Sequence, residues 1–258
     1  MSKLAISNLA WKTNQDGEVL EYLHDNGIRG LEIAPTKIFG ANPFSSTNIF
    51  SRYSDIISNK YKMSICSFQS IWYGLTQSLS DPGNHPFLLQ YTRDIVKCAS
   101  AIGCKNIVFG NPRLRKGCKI EDPYIVDFFT EIGEYANKNN TCISLEPNPD
   151  VYDTDFLNNT KDVIKFCKTI NCDGLKINMD LGTIIYNNES ISDVLRNIDL
   201  INHIHISEPF LKKIIHRTIH KELNDISFDK YISIEMNELS FEDIKETIGY
   251  VYSVIDFY

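Results

Sequence analysis

Short apolar, β-branched runs recur along the chain. Each is closed by a polar residue or a Gly/Pro stop and followed by a stretch with helical apolar spacing. They fall at Leu4–Leu9, Gly30–Ile33, Met63–Phe68, Asn106–Phe109, Cys142–Leu145, Gly174–Ile177, His203–Ile206 and Ile232–Ile234, which predicts eight strands. Between them, Gln90–Ile102, Tyr124–Asn137 and Thr160–Ile170 gather apolar residues on one helical face. Strands alternating with amphipathic helices imply parallel βαβ units. Eight units in 258 residues predict an α/β fold, one (β/α)8 barrel spanning residues 1–258 as a single domain. A doubly wound open sheet is the rival. No Gly-x-Gly-x-x-Gly follows the first strand, so nothing marks a dinucleotide site.

Composition narrows the partners. Hydrophobic residues make up 43% and charged residues 23%, the balance of an ordinary globular protein. A formal net charge of −7 argues against a nucleic-acid partner, whose affinity comes from neutralised phosphates. Arg113, Arg115, Lys116 and Lys119 cluster, and are read as a solvated loop. No apolar run approaches the roughly 20 residues that span a bilayer. The opening MSKLAISNLAW reads as a strand rather than a signal peptide, so no membrane partner is expected and the cytoplasm is the expected location. Seven cysteines (Cys66, Cys98, Cys104, Cys118, Cys142, Cys167 and Cys172) form no Cys-x-x-Cys and are odd in number. They read as small buried hydrophobes rather than a zinc ribbon or disulfide framework.

In a parallel barrel, chemistry is assembled at the C-terminal ends of the strands. The last four predicted strands run into Leu145-Glu146-Pro147, Asn178-Met179-Asp180, Ile204-His205-Ile206 and Ile234-Glu235-Met236. A single acid at a strand end is unremarkable, because strand ends are polar. Four in succession gather three carboxylates and an imidazole at one mouth, and like charges so close need a cation. That donor set suits one divalent metal ion, Mn2+, Mg2+ or Co2+, with Zn2+ as a further option.

Several phrases in order along the chain, among them Ile-Ser-Asn-Leu-Ala-Trp (6–11), Leu-Glu-Ile-Ala-Pro-Thr-Lys-Ile (31–38), Leu-Glu-Pro-Asn-Pro (145–149), His-Ile-His-Ile-Ser-Glu-Pro (203–209) and Ser-Ile-Glu-Met (233–236), carry a resemblance. The chain resembles the sugar phosphate isomerase/epimerase group of the xylose isomerase-like TIM-barrel superfamily. The resemblance implies that Glu146, Asp180, His205 and Glu235 bind one divalent metal. It also implies that Glu146 and Glu235 are catalytic, one removing a proton beside a carbonyl and the other returning it, while Asp180 and His205 anchor the ion. The expected reaction is isomerisation or epimerisation of a small polyhydroxylated carbonyl compound. The pattern departs at Thr183, where such proteins often carry a substrate-holding His. No Gly-rich phosphate cradle follows the last strands, so a phosphate group is not expected.

Further substrate contacts are expected from Glu32, Gln69, Trp72, Asn111, Arg113, Asn148, His203, Glu208 and His220. Glu32 is alternatively a salt-bridge partner of Lys37, Trp72 a sugar-stacking face or core packing, and His203 a buried, hydrogen-bonded residue. Glu208 is a candidate to orient His205. Other functions weighed are a keto-sugar (inosose-type) dehydratase, a non-catalytic sugar-binding barrel, and an apurinic endonuclease. The last is disfavoured by the acidic balance and by only six histidines. Oligomeric state is left open, with a homodimer compatible.

Overall fold

The computed structural model describes residues 3–257. Its strands are β1 Lys3–Ser7, β2 Gly30–Ile33, β3 Ser64–Phe68, β4 Asn106–Phe109, β5 Ile143–Leu145, β6 Leu175–Asp180, β7 Ile201–Ile206 and β8 Tyr231–Ile234. Each pairs in parallel with the next, and β1 pairs with β8, closing a barrel. The helices are α1 Asp16–Asp25, α2 Pro35–Phe39, α3 Thr47–Tyr61, α4 His85–Ala101, α5 Pro123–Lys138, α6 Thr160–Ile170, α7 Leu181–Asn187, α8 Ile191–Leu195 and α9 Phe241–Val254. The fold is the (β/α)8 barrel the alternating pattern predicts.

Differences from that pattern are local. Helix α4 begins five residues before the predicted Gln90 because Pro86 occupies its first turn, where no amide donor is needed. Strand β6 runs on to Asp180, three residues past the predicted end. Between β7 and β8 the described residues form only 3-10 segments, Pro209–Leu211 and Thr218–Asp225. No helix among the described residues is long and apolar enough to cross a membrane.

Apolar faces of the helices and the outward strand residues pack together. Phe109, Phe128, Phe129, Phe156 and Phe166 interlock mostly edge to face. Trp72 joins this layer. It is 1% exposed, sits edge-on to Phe109 at 4.7 Å, and its indole N–H donates to Thr92 Oγ1 at 3.1 Å. Core packing therefore replaces the expected sugar contact at Trp72. All seven cysteines are free, six of them buried. Burial pushes the thiols of the six buried cysteines up, Cys104 to about 12 and Cys142 to about 11, away from nucleophilic chemistry.

The inside of the barrel is not apolar. Asn106 Nδ2 donates to Ser67 Oγ at 2.9 Å and Ser144 Oγ donates to Asn106 Oδ1 at 2.5 Å. Gln69 Nε2 donates to Ser7 Oγ at 2.5 Å and to Glu32 Oε1 at 2.9 Å. Pairing shifts register twice, between Leu31 and Glu32 on β2 and between Ile177 and Asn178 on β6. In each case one extra residue, Cys66 on β3 or Asn202 on β7, lies opposite the step. Gly30 closes the barrel wall: a Cβ there would lie 2.6 Å from both Ala5 and the Tyr231 ring.

Candidate metal centre

Four consecutive strands place Glu146, Asp180, His205 and Glu235 at one end of the barrel. Glu146 follows β5, and its amide continues the ladder by donating to the Phe109 carbonyl at 3.1 Å. Glu235 follows β8 in the same way, donating to Ile206 O at 2.9 Å. One ligand atom from each of the four lies within 4.8 Å of all the others. His205 Nδ1 faces Glu146 Oε1 at 3.0 Å and Glu235 Oε2 at 3.1 Å. The neighbouring strand leaves room for Glu146 only because residue 110 is glycine; a Cβ there would stand 2.8 Å from Glu146 Oε2. Asp180 also caps α7, accepting from the Thr183 amide and hydroxyl at 2.8 Å each and from Ser207 Oγ.

Electrostatics show what the cluster lacks. Burial, and then the charges of Glu146 and Glu32 against the opposing pull of His205, leave the Glu235 carboxyl at about 7. Burial and the Glu146 charge also raise Asp180. Burial would raise Glu146 as well, but the hydrogen bond and charge of His205, aided by Asn148 and Arg115, hold it below the usual carboxylate range. His205 is pushed well above an ordinary imidazole: burial opposes its charge, and Glu235, Glu32 and Glu146 outweigh burial. Protons thus collect on an imidazole and a carboxylate to offset surplus negative charge. A divalent cation supplies that charge without protons, and carboxylate oxygens with one imidazole nitrogen are ordinary ligands for Mn2+, Mg2+ or Co2+. The buried cluster is consistent with a divalent metal site.

Beneath it lies a second layer. His205 Nε2 donates to Glu32 at 3.1 Å, and Glu32 is fully buried. Gln69 and Ser233 also donate to Glu32 Oε1, at 2.9 and 3.4 Å. His203 Nε2 stands 3.1 Å from Glu32 but without hydrogen-bond alignment. Burial opposes the Glu32 charge, yet the two imidazoles hold its pKa well down. Asn178 Nδ2 donates to Glu146 Oε1 at 2.7 Å and points at His205 Nδ1 at 3.0 Å. Glu32, Gln69 and His203 therefore support the centre from below; all three are at most 3% exposed. Lys37 is not the partner of Glu32, because its ammonium donates to Trp11 O at 2.6 Å and pairs with Glu238 at 3.2 Å.

The remaining expected contacts divide. Asn148 is buried, donates to Glu146 Oε2 at 3.2 Å, and accepts from Arg115 Nη2 at 3.0 Å. Asn111 is half-buried with a left-handed backbone, φ 47°, and its Nδ2 meets no partner. Arg113 is exposed, whereas Arg115, expected in a solvated loop, is fully buried and also donates to Glu146 O at 2.9 Å. Burial lowers Arg115 to about 10, so it stays a cation at neutral pH. The tight 3-10 turn Pro112–Arg115 sends residues two apart in different directions, which spacing alone did not reveal. Glu208 does not orient His205; Arg217 grips it with two hydrogen bonds of 2.6 Å. Thr183 is 2% exposed and also donates to Pro147 O at 2.9 Å, so its position is closed. A cleft of about 730 Å3, room enough for a small ligand, opens among the segments that follow β1, β2, β3 and β8; Leu9, Lys37, Tyr73, Asn237 and Glu238 are among the residues lining it, and none of the four candidate ligands is.

His220 lies away from the mouth, correcting the expected substrate contact. It is fully buried between the segment Thr218–Asp225 and α9, with Nδ1 2.9 Å from Tyr250 Oη. That hydroxyl accepts from the Arg217 amide at 2.9 Å, so its proton goes to His220 Nδ1. Burial lowers His220 from 6.5 to about 4. The unfolded chain takes up this proton first, so stability present above pH 6.5 is lost as pH falls through about 4, by roughly 3 kcal/mol in full. Urea unfolding between pH 7 and 4 should show His220→Gln with a flatter profile than the parent; superimposable profiles would exclude this coupling.

The chain belongs to the xylose isomerase-like TIM barrel family, whose profile matches residues 20–253. The sequence matches no curated protein. Among solved structures it is similar to a 3-keto-D-glucoside 4-epimerase from E. coli, at 14% identity and TM-score 0.74, covering 98% of this chain and 100% of that one. It is similar to a D-psicose 3-epimerase with D-tagatose from Clostridium cellulolyticum H10, at 15% identity and TM-score 0.75, over 99% and 100%. An AP endonuclease of family 2 from Brucella melitensis is as near in fold, at 12% identity and TM-score 0.75, over 99% and 100%. At such identities the likeness establishes the barrel, and chemistry has to be argued from the site.

Proposed function

We propose that the protein is a divalent-metal-dependent isomerase or epimerase of a small polyhydroxylated carbonyl compound. The observation that carries this reading is a buried cluster in which Glu146, Asp180, His205 and Glu235 each offer a ligand atom within 4.8 Å of the others. Two of the four, Glu146 and Glu235, are carboxylates that both face His205 Nδ1, at 3.0 and 3.1 Å. Such a pair suits proton removal by one group and proton return by the other. When bound, a divalent cation at this centre supplies stabilisation for the negative charge that develops on the substrate's oxygens. Glu146 takes the proton from the carbon beside the carbonyl, and the electron pair moves toward the carbonyl oxygen. Glu235 delivers a proton to carbon. Delivery to the same carbon from the opposite face epimerises; delivery to the neighbouring, former carbonyl carbon, with the hydroxyl proton passing from one substrate oxygen to the other, isomerises. Asn148 and Asn178 hold the Glu146 carboxylate in place.

The epimerase names of two structural neighbours support this class, and the net charge of −7 weighs against the nuclease chemistry in the name of the third. The test combines metal titration with isotope exchange. Mn2+ at about 100 times its dissociation constant should stabilise the fold by about 2.7 kcal/mol, raising the thermal midpoint by several degrees. In D2O the loaded protein should then wash deuterium into a ketose such as D-fructose or D-tagatose, and EDTA should stop it. Absence of any divalent-ion stabilisation would sink the reading, and sugar binding without exchange would replace it with a non-catalytic one.

A further inference from the structure

The loops that follow three ligand-bearing strands each present an aromatic ring. Tyr152 lies six residues past Glu146 (152 − 146), Tyr186 six past Asp180 (186 − 180) and Phe210 five past His205 (210 − 205). The three rings meet. Phe210 packs edge-on to Tyr152 at 5.6 Å and to Tyr186 at 6.1 Å. They are not a buried cluster, for Phe210 is 45% and Tyr186 41% exposed. Lys212 Nζ stands 5.8 Å from the Phe210 ring centre.

Local forces do not account for this exposure. Phe210 and Leu211 both have left-handed backbone, φ 63° and 51°, a conformation that costs a bulky residue on the order of 1–3 kcal/mol. Four hydrogen bonds impose it. The Phe210 amide donates to Tyr152 Oη at 2.7 Å and the Leu211 amide to Glu208 O at 2.9 Å. From the β8 side, Asn237 donates its amide to Leu211 O at 2.8 Å and its Nδ2 to Phe210 O at 3.2 Å. Asn237 is two residues past Glu235, so the strained turn is tied to both edges of the metal centre. A turn held in strain to display an apolar ring beside a polar site is the arrangement expected of a ligand contact.

We propose that Tyr152, Tyr186 and Phe210 form a stacking platform at the rim of the metal centre for the ring of a cyclic sugar or glycoside. A pyranose turns axial C–H groups to one face and hydroxyls to its edge. The face lies on Phe210 and Tyr186, and the edge hydroxyls reach Lys212 and water. An acyclic sugar has no such face. The platform rests on the reading of the site as carbohydrate-acting, and narrows its substrate to one carrying a ring beyond the reacting carbons.

Saturation-transfer NMR on the Mg2+-loaded protein tests this with methyl β-D-glucopyranoside and the acyclic alditol glucitol as probes. The parent should saturate the axial C–H hydrogens of the glucoside and barely touch glucitol. Phe210→Ala and, on the exposed side of α7, Tyr186→Ala should each weaken glucoside binding by about fivefold, while Phe210→Tyr retains it. Mg2+ affinity measured by calorimetry should be unchanged in all three, showing that the fold and the centre persist. Equal contact with both probes, or undiminished contact in both alanine variants, overturns the platform. So does a Phe210→Ala variant that changes only the sedimentation of the protein, since the rings would then serve self-association. Ring contact without deuterium exchange into any ketose leaves the platform standing and removes the proposed reaction; exchange without ring contact does the reverse.

Discussion

Glu146→Gln and Glu235→Gln are each expected to slow deuterium exchange into a ketose by about 10²–10⁴-fold, the usual range for losing one acid–base group. Glutamine keeps the side chain's size and one acceptor oxygen but cannot carry the proton. The two variants should differ in their apo stability. Glu235 sits at about 7 because burial and neighbouring charges disfavour its ionisation, so Glu235→Gln should leave the metal-free fold at neutral pH as stable as the parent or more so. Glu146 is ionised and accepts from Asn178 and Asn148, with the buried Arg115 guanidinium bonded to its backbone. Glu146→Gln strips Arg115 of its nearest negative charge and should lower apo stability. Both variants lose an anionic ligand, so rates must be compared at saturating metal. Exchange at the parental rate in the double variant would end the two-carboxylate mechanism.

Glu32→Gln is expected to act through His205 rather than through substrate. Glu32 fixes the imidazole by accepting from Nε2, so that Nδ1, which faces Glu146 and Glu235, is the nitrogen that would give up its proton and turn its lone pair to an ion. Outer-shell carboxylates of this kind typically contribute 10–100-fold in metal affinity, and that is the loss expected here in a Mn2+ titration. Glu32 is also the buried anion between two imidazoles, and removing one partner of a buried ion pair costs about 3–5 kcal/mol. Urea unfolding of the metal-free variant measures that loss directly. The KM for a ketose, at saturating metal, should hardly move. A variant with parental metal affinity and raised KM would place Glu32 in the substrate pocket instead.

How far the sequence reveals this molecule depends on which interactions set each feature. The eight strands follow from apolar periodicity, which is local, and their boundaries move by a few residues where capping and pairing decide. The four candidate ligands are legible because each lies at or next to the C-terminal end of a strand. The supporting layer was less so. In β6 through β8 the runs Ile177-Asn178-Met179-Asp180, Ile204-His205-Ile206-Ser207 and Ile232-Ser233-Ile234-Glu235 alternate apolar and polar. Strands covered on both faces ordinarily read as continuous apolar runs; strict alternation was the available sign of a polar interior. Arg115 and Arg217 carried no such sign. One is set by a 3-10 turn and the other by a pairing with Glu208 across a helix-free connection, both tertiary facts. Trp72 and His220 show the reverse error, since a loop position beyond a strand says nothing of the helix packed behind it.

The register step on β7 gives residue count a chemical meaning. Asn202 is the extra residue opposite Ile177 and Asn178, and beyond it His203 and His205 pair with Asn178 and Asp180. Side chains on a strand alternate, so loss of the bulged Asn202 would only restore the regular ladder with His203 opposite Asn178, whereas loss of Ile204 would turn His205 toward the helices. The centre can absorb many exchanges of one side chain for another along this strand. It cannot absorb the loss of a residue between the bulge and His205. The spacing of the chain, as much as the identity of its four acids and bases, sets where an ion can be held.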